Sequence, residues 1–352
     1  MDDDSADGFL TETRKVQAIR GSTYTVSIPK QWVERLGIEK GTPVSLQLLG
    51  DRSIMLSLPL AYDPLKLEYE LHPSSVDGEE VFREIGAAYV AGYRTVRIHF
   101  AKEQAQAVHC TVLNVCERIR GLEIVETSAE SILLQDFLDP LEFNARQGLK
   151  RMQAEVHAML EVASRLALSG EETTDIDIGA LHRHGKEIES LKLILLKQHN
   201  LMMRDFRIAP KVGIPMEEAL NYLLVAQHLG RIGTFTAQIG ENRGFAPDFE
   251  GTELLPRIRE ACTLAIRATD DAMSAFFRRD TRLAHDTIRL HGELQQIRMT
   301  APLDLALSPA ELCRIHVFIF LERIGFYARG IAEVAINQTI APASNWWPGG
   351  SE

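Results

Sequence analysis

Residues 9–60 carry a group of cationic side chains that could bind the phosphate groups of a nucleic acid. The segment has seven basic and four acidic side chains, a net charge of +3, whereas the whole chain of 352 residues has a net charge of -11. Arg14, Lys15 and Arg20 lie close together in the sequence, and Lys30 follows a short apolar run. Cations on one face of a small domain contact the DNA backbone electrostatically. A solvated basic surface is the alternative interpretation.

Other reactive side chains lack the spacing of a catalytic or metal site. The histidines and cysteines around residue 110 are His99, His109, Cys110 and Cys116. Their spacing matches no zinc pattern, which favours core or surface roles. His182 and His184 are two residues apart in a predicted helix, so they cannot face one ion. The sequence contains neither a G-x-S-x-G nor a P-loop motif, and we expect no enzymatic activity and no catalytic residues.

Composition indicates a globular protein of the reducing cytoplasm. Hydrophobic residues make up 45% of the chain and charged residues 25%. The most apolar window, residues 312–321, is too short to cross a bilayer, and the acidic first residues do not resemble a secretory signal. The four cysteines form no CxxC pair, which indicates reduced thiols. We therefore expect a cytoplasmic protein that does not insert into a membrane.

Short strands and turns are predicted for residues 9–60, after a disordered tail at 1–8. Two short strands flank a turn at Gly21, a two-turn helix covers residues 30–36, and strands at 44–48 and 54–58 form a hairpin. So few residues cannot bury a core alone, and we expect dimerisation to complete it. The apolar strand residues of the shared core include Val26, Ile28 and Leu46.

Three stretches of this segment stand in a characteristic order: Arg14–Gln17, Gly21–Pro29 and Leu36–Gly41. Together they resemble the AbrB/SpoVT family of swapped-hairpin DNA-binding domains. The resemblance implies that residues 9–60 form a domain that binds double-stranded DNA as a homodimer. It also implies that the four cations named above contact the DNA. Thr42 departs from the family pattern, which usually has an acidic residue in that turn.

Residues 61–139 mix the two kinds of element in the order βαβαββ. Helices are predicted at 78–89 and 104–119, and strands at 65–71, 95–100, 122–125 and 131–134. This order predicts a small α/β connecting domain. No phosphate-cradling glycine loop occurs in it, and we interpret it as a spacer or dimerisation layer.

From residue 140 to 338 the pattern is helical. The predicted helices span 141–169, 175–206, 215–241, 252–279, 281–299 and 309–338. Residues 229–241 align with residues 321–333, and six of the thirteen positions are identical. This internal repeat predicts two antiparallel three-helix units, at 140–243 and 250–338. A tail follows at 339–352. The expected fold class is therefore multidomain α+β.

The third helix of the second repeat contains Leu321–Gly325 followed by Ile331–Glu333. The second helices of the two repeats contain corresponding segments, at residues 185–189 and 289–295. These residues resemble the PhoU family of phosphate-signalling proteins, over about 140–338. The resemblance implies two three-helix bundles and a role in phosphate signalling. The N-terminal segment in front matches an arrangement known among archaeal members.

In that family, acidic residues along the second and third helices of each repeat bind metal clusters. Few of these positions are acidic here: Gly185, Gly230, Thr234 and Phe326 occupy four of them. Weak metal-binding candidates remain, namely Glu189, His291, Glu322 and Glu333, while Glu241 survives at the end of the stripe. Because a cluster needs more ligands than these, we expect no bound metal and no other cofactor.

The sequence thus predicts a DNA-binding transcriptional regulator of phosphate uptake and intracellular phosphate homeostasis that represses transport genes as a dimer. A phosphate transporter or its regulators are further possible partners. The alternative is a PhoU-like adaptor that regulates a phosphate ABC transporter by protein contact without DNA binding. A metal-dependent helical-bundle enzyme is the third hypothesis.

Overall fold

The computed structural model describes residues 11–19, 23–48, 53–58, 67–73, 77–168, 175–205, 208–243, 254–301 and 309–340. The chain separates into two compact units, residues 1–62 with 343–352 and residues 63–342. The first contains the hairpin segment, and the second contains both the α/β layer and the helices.

The first unit consists of two hairpins and one short helix. Strand β1 (Gln17–Ile19) pairs antiparallel with β2 (Thr23–Thr25), helix α1 covers Lys30–Arg35, and β3 (Ser45–Leu48) pairs antiparallel with β4 (Ile54–Ser57). The predicted order of strands and helix is confirmed. The predicted turns at Gly21 and residues 50–52, like the tail at 1–8, lie outside the described residues.

Local chemistry explains where α1 begins and ends. The carbonyl oxygen of Pro29 accepts hydrogen bonds from the backbone N–H groups of Trp32 (3.0 Å) and Val33 (3.1 Å). Proline itself has no N–H group that would be left unsatisfied at this position. Gly37 has a φ of 63°, in the left-handed region that glycine adopts without strain, and it ends the helix.

A four-stranded sheet covered by two helices opens the second unit. The strands are β5 (Glu68–Leu71), β6 (Thr95–His99), β7 (Leu122–Thr127) and β8 (Ser131–Asp136), in the spatial order β5-β6-β8-β7. β5 and β6 are parallel and the other pairs antiparallel. The helices are α2 (Gly78–Val90) and α3 (Ala105–Arg118). The predicted βαβαββ order is confirmed.

Two three-helix bundles make up the rest of the second unit. The helices are α4 (Ala145–Leu168), α5 (Asp175–Arg204), the short α6 (Ala209–Val212), α7 (Ala219–Arg243), α8 (Leu254–Arg278), α9 (Thr281–Thr300) and α10 (Pro309–Ile340). Helices α4, α5 and α7 pack together, as do α8, α9 and α10. The bundles share one hydrophobic core because α7 packs on α10 and α4 packs on α8.

Equivalent glycines of the two repeats bring the second and third helices of each bundle close together. A Cβ atom at Gly233 of α7 would lie 3.2 Å from Cδ1 of Ile188 on α5. A Cβ atom at Gly325 of α10 would overlap with Cδ1 of Leu294 on α9. The two glycines are aligned in the sequence repeat, and the structure places them in the same packing role. The predicted repeat of two three-helix units is confirmed.

Candidate functional site

The predicted DNA contacts lie at the start of the hairpin unit and at the start of its helix. Arg14 and Lys15 precede β1, in extended chain rather than in the strand itself, and both are exposed. Arg14 forms an ion pair with Glu12, and Nζ of Lys30 lies 3.4 Å from Glu34 Oε1. Arg20 lies outside the described residues. The role of all four cations stays a prediction.

The hairpin unit exposes most of its apolar side chains. Leu46 and Ile54, on neighbouring strands, are each 69% exposed, and Val26 is 57% exposed. Pro29 is the one buried residue among those that the structure describes between 11 and 58. Single exposed apolar residues are ordinary on a protein surface, but here the exposed apolar set extends over both hairpins.

In the first bundle, the surviving acidic residue of the second helix is held by an arginine from the α/β layer. Glu189 on α5 accepts hydrogen bonds from Nε (3.3 Å) and Nη2 (3.1 Å) of Arg118. The Arg118 guanidinium also contacts Glu79 and lies 3.4 Å above the centre of the Phe82 ring. Its charge therefore already neutralises this metal candidate. Nothing in the sequence indicated the contact, because its partners are 71 residues apart.

In the second bundle, each surviving acidic residue has a cationic neighbour. Glu322 lies 2.7 Å from Nε of Arg298 on α9, and its other oxygen accepts from the side-chain amide of Gln295 (3.3 Å). Glu333 lies 2.8 Å from Arg329, one turn earlier in α10, a spacing at which side chains on a helix meet.

His291, the possible nitrogen ligand, is a core residue that is only 4% exposed. Its ring packs edge-on against Phe326, with ring centres 5.8 Å apart. Burial lowers the pKa of the imidazole because the charged form loses hydration, and nearby Glu322 partly offsets this effect. Its Nε2 atom has no hydrogen-bond partner among the residues that the structure describes.

The histidine pair of α5 points in two directions, as its spacing predicted. Nε2 of His182 lies 3.4 Å from Glu241 on α7, whereas Nδ1 of His184 lies 2.6 Å from Glu155 on α4. Within the described ranges, no three histidine, cysteine, aspartate or glutamate side chains are grouped as a metal site would require. The expectation of a metal-free protein stays a prediction. Helices long and apolar enough to span a bilayer are likewise not found among the described residues.

Comparisons with known proteins bear on the two parts of the chain separately. Residues 17–62 match the family model described as antidote-toxin recognition MazE, bacterial antitoxin. Among solved structures, the chain is similar to the crystal structure of PhoU from Pseudomonas aeruginosa, with 18% sequence identity and a TM-score of 0.41. That alignment covers 55% of this chain and 93% of the other. A search of curated proteins found no match.

The matched segment lies within the first compact unit. The family model begins at Gln17, the first residue of β1, and extends to Tyr62. The chain thus combines an N-terminal segment that matches the MazE family model with an α/β layer and two three-helix bundles, in the predicted order.

Proposed function

We propose that this protein is a dimeric, DNA-binding transcriptional regulator of phosphate uptake and intracellular phosphate homeostasis. The observation that carries the proposal is the hairpin unit, which matches a MazE-type family model and exposes its apolar strands in a single chain. A second copy that covers Leu46, Ile54 and Val26 would complete a core that one copy lacks.

Dimerisation also explains how a weakly basic segment can bind DNA in an acidic protein. Each hairpin unit brings Arg14 and Lys15 in exposed positions, and a twofold axis doubles that charge on one surface. Phosphate contacts of this kind release counterions from DNA, which makes affinity fall as the salt concentration rises. The helical unit would supply the phosphate-responsive half of the regulator. This assignment is supported by the resemblance of the second and third helices of both repeats to PhoU motifs, and by the equivalent packing of these helices in the two bundles.

The test is a salt titration of DNA binding by the full-length protein. Binding to DNA duplexes of genomic sequence, each of the length of an operator, is measured by fluorescence anisotropy. The proteins compared are the wild type and the Arg14→Ala/Lys15→Ala variant. We expect the variant to bind more weakly and its log–log salt slope to be less steep by about one for each phosphate-binding cation that is removed. Arg282→Ala/Arg323→Ala removes two exposed arginines from the helical unit and serves as the charge-matched control.

Equal salt slopes in the wild type and both variants would contradict the proposed DNA-binding role of these cations.

The alternative function, an adaptor that acts by protein contact, is favoured by one feature of the second bundle. Phe326, where the PhoU pattern has an acidic residue, is 44% exposed on α10. Exposed aromatic residues are enriched in protein–protein interfaces. A stable dimer that binds no DNA at any salt concentration would support the adaptor.

A further inference from the structure

A cleft between the α/β layer and the first bundle is lined mainly by charged side chains. Its volume is about 310 Å³, and its walls are the end of α3, the turn that follows it, and one side of α5. The lining residues are Glu117, Arg120, Arg183, Lys186, Glu187 and Ser190.

Positive charge is in excess around this cleft. Arg120 Nη2 lies 2.7 Å from the Glu187 carboxylate, and Nε of Arg151, on α4, lies 2.9 Å from it. Two cations therefore contact this one negative charge. Lys186 Nζ lies 3.2 Å from Glu117. No carboxylate of any described residue lies within 4.0 Å of the guanidinium of Arg183. The lining thus carries three cations and two carboxylates, a net charge of +1. Arg151, which lies outside the lining, adds a further cation beside Glu187.

We propose that this cleft binds a tetrahedral oxyanion of the phosphate class, with inorganic phosphate as the ligand. The planar guanidinium groups of Arg120 and Arg183 can each offer two N–H groups to two oxygens of one anion, and Lys186 adds a compact positive charge. The hydroxyl oxygen of Ser190 accepts the backbone N–H of Arg120 (3.3 Å). Its own proton remains available as a further donor.

The carboxylate of Glu117 gives the cleft a way to distinguish phosphate from sulfate. Phosphate retains at least one proton at neutral pH and can donate that O–H to a carboxylate, which only accepts hydrogen bonds. Sulfate is fully ionised at this pH, so a carboxylate beside it is repulsive. The Glu117 carboxylate beside the cations of the cleft therefore favours phosphate over sulfate.

The position of the cleft couples a bound anion to the docking of the α/β layer on α5. An anion that recruits Arg120 competes with Glu187, and that ion pair is one of the links between the two elements. Arg118 with Glu189 and Asp136 with Lys197 are further links along the same helix. This inference rests on the proposed function for its choice of phosphate, and it names the input that the helical unit would sense.

The test is isothermal titration calorimetry of the full-length protein with inorganic phosphate and, in a separate arm, sulfate, at constant ionic strength. We expect phosphate to bind more tightly than sulfate. Arg183→Gln and Lys186→Gln should each weaken phosphate binding about tenfold, the cost of one charge-assisted hydrogen bond. The control is Arg323→Gln, on α10. Like Arg183, Arg323 is exposed and has no carboxylate of a described residue within 4.0 Å, and its replacement should leave the affinity unchanged.

Glu117→Gln should reduce the preference for phosphate over sulfate, since an amide does not repel sulfate. An additional titration with adenosine 5′-monophosphate distinguishes a phosphate monoester from the free anion, and tighter binding of the monoester would contradict inorganic phosphate as the ligand. Absence of phosphate binding, or equal affinity in the wild type and Arg183→Gln, would overturn the site. DNA binding by the same wild-type protein is measured separately, so failure here leaves the DNA-binding proposal intact.

Discussion

At the scale of single residues, His291 is a buried ionisable group whose protonation should be felt in the stability of the second bundle. Its imidazole lies beside Gly325 and Phe326, and burial lowers its pKa. Below about pH 6.5 the unfolded chain binds a proton at this position. The folded protein does not bind it until the pH reaches the lowered value, so stability falls as the pH decreases across that interval.

We therefore predict that the thermal unfolding midpoint decreases between pH 7.5 and pH 5.5. His291→Leu removes the titrating group while keeping an apolar side chain of similar size, so its midpoint should fall less over the same range. His285→Leu, the same change at an exposed histidine of the same helix, is the control. Differential scanning calorimetry gives the unfolding midpoint of each of the three proteins as a function of pH. Parallel pH profiles for the wild type and His291→Leu would contradict the prediction.

The acidic residues of the helical stripes lead to a prediction about metal content. Glu322 and Glu333 lie eleven residues apart, about 16 Å along the helix axis, and each has its own arginine neighbour. The two carboxylates cannot bind one ion without ligands between them. We expect the purified protein to contain well under one transition-metal ion per chain by elemental analysis. Stoichiometric iron or zinc that is lost on Glu322→Ala would restore a metal-cluster mechanism.

At the scale of elements, α5 belongs to two cores. Ile194 packs into the hydrophobic cluster of the α/β layer, whereas Leu191 and Leu195 pack into the core of the bundles. The same helix carries Lys197, whose ammonium group forms a buried ion pair with Asp136 and lies 4.3 Å above the Tyr89 ring. The α/β layer is thereby fixed to the second helix of the first bundle rather than attached by a linker.

The contact between second and third helices gives a matched pair of glycine substitutions. Gly325→Ala places a methyl group against Leu294, and we expect it to lower the free energy of unfolding by about 1 kcal/mol, because overpacking exceeds the gain in helix propensity. Gly292→Ala places the same methyl group in open space on α9. That change should raise the free energy of unfolding by about 0.5–1 kcal/mol.

Urea denaturation followed by circular dichroism measures both variants. If Gly325→Ala is as stable as Gly292→Ala, the close approach of α9 and α10 does not depend on that glycine. The result would then count against the packing equivalence of the two repeats.

At the scale of the whole molecule, assembly should depend on the hairpin unit. Leu46→Asp places a carboxylate among the exposed strands that a second copy is proposed to cover, and we expect the full-length protein to change from dimer to monomer. Leu113→Asp makes the same change at a half-exposed leucine of α3 and should leave the dimer intact. Sedimentation velocity distinguishes the two states. A wild-type monomer, or a Leu46→Asp dimer of undiminished stability, would contradict the proposed assembly.

Local pattern alone determined the order of the strands and of the helices in the described chain, with the exception of the short α6. The alternation of Val44–Leu48, the helical periodicity after residue 140 and the glycine or proline at element ends are properties of neighbouring residues, so they could be read without the fold. The repeat of Arg-Ile-Gly in two third helices likewise predicted the pair of three-helix bundles. The short helix α6 was not predicted, because four residues around Pro210 carry no periodicity.

Only the tertiary structure decided which charges meet. Glu189 was a candidate metal ligand, yet it and the neighbouring Glu187 face Arg118 and Arg120, which are 71 and 67 residues away in the sequence. Spacing along a helix specifies which side chains share a face, but not what packs against that face. The burial of His291 and the cationic cleft beside Arg183 depend on the same long-range packing, and for that physical reason the sequence by itself did not reveal them.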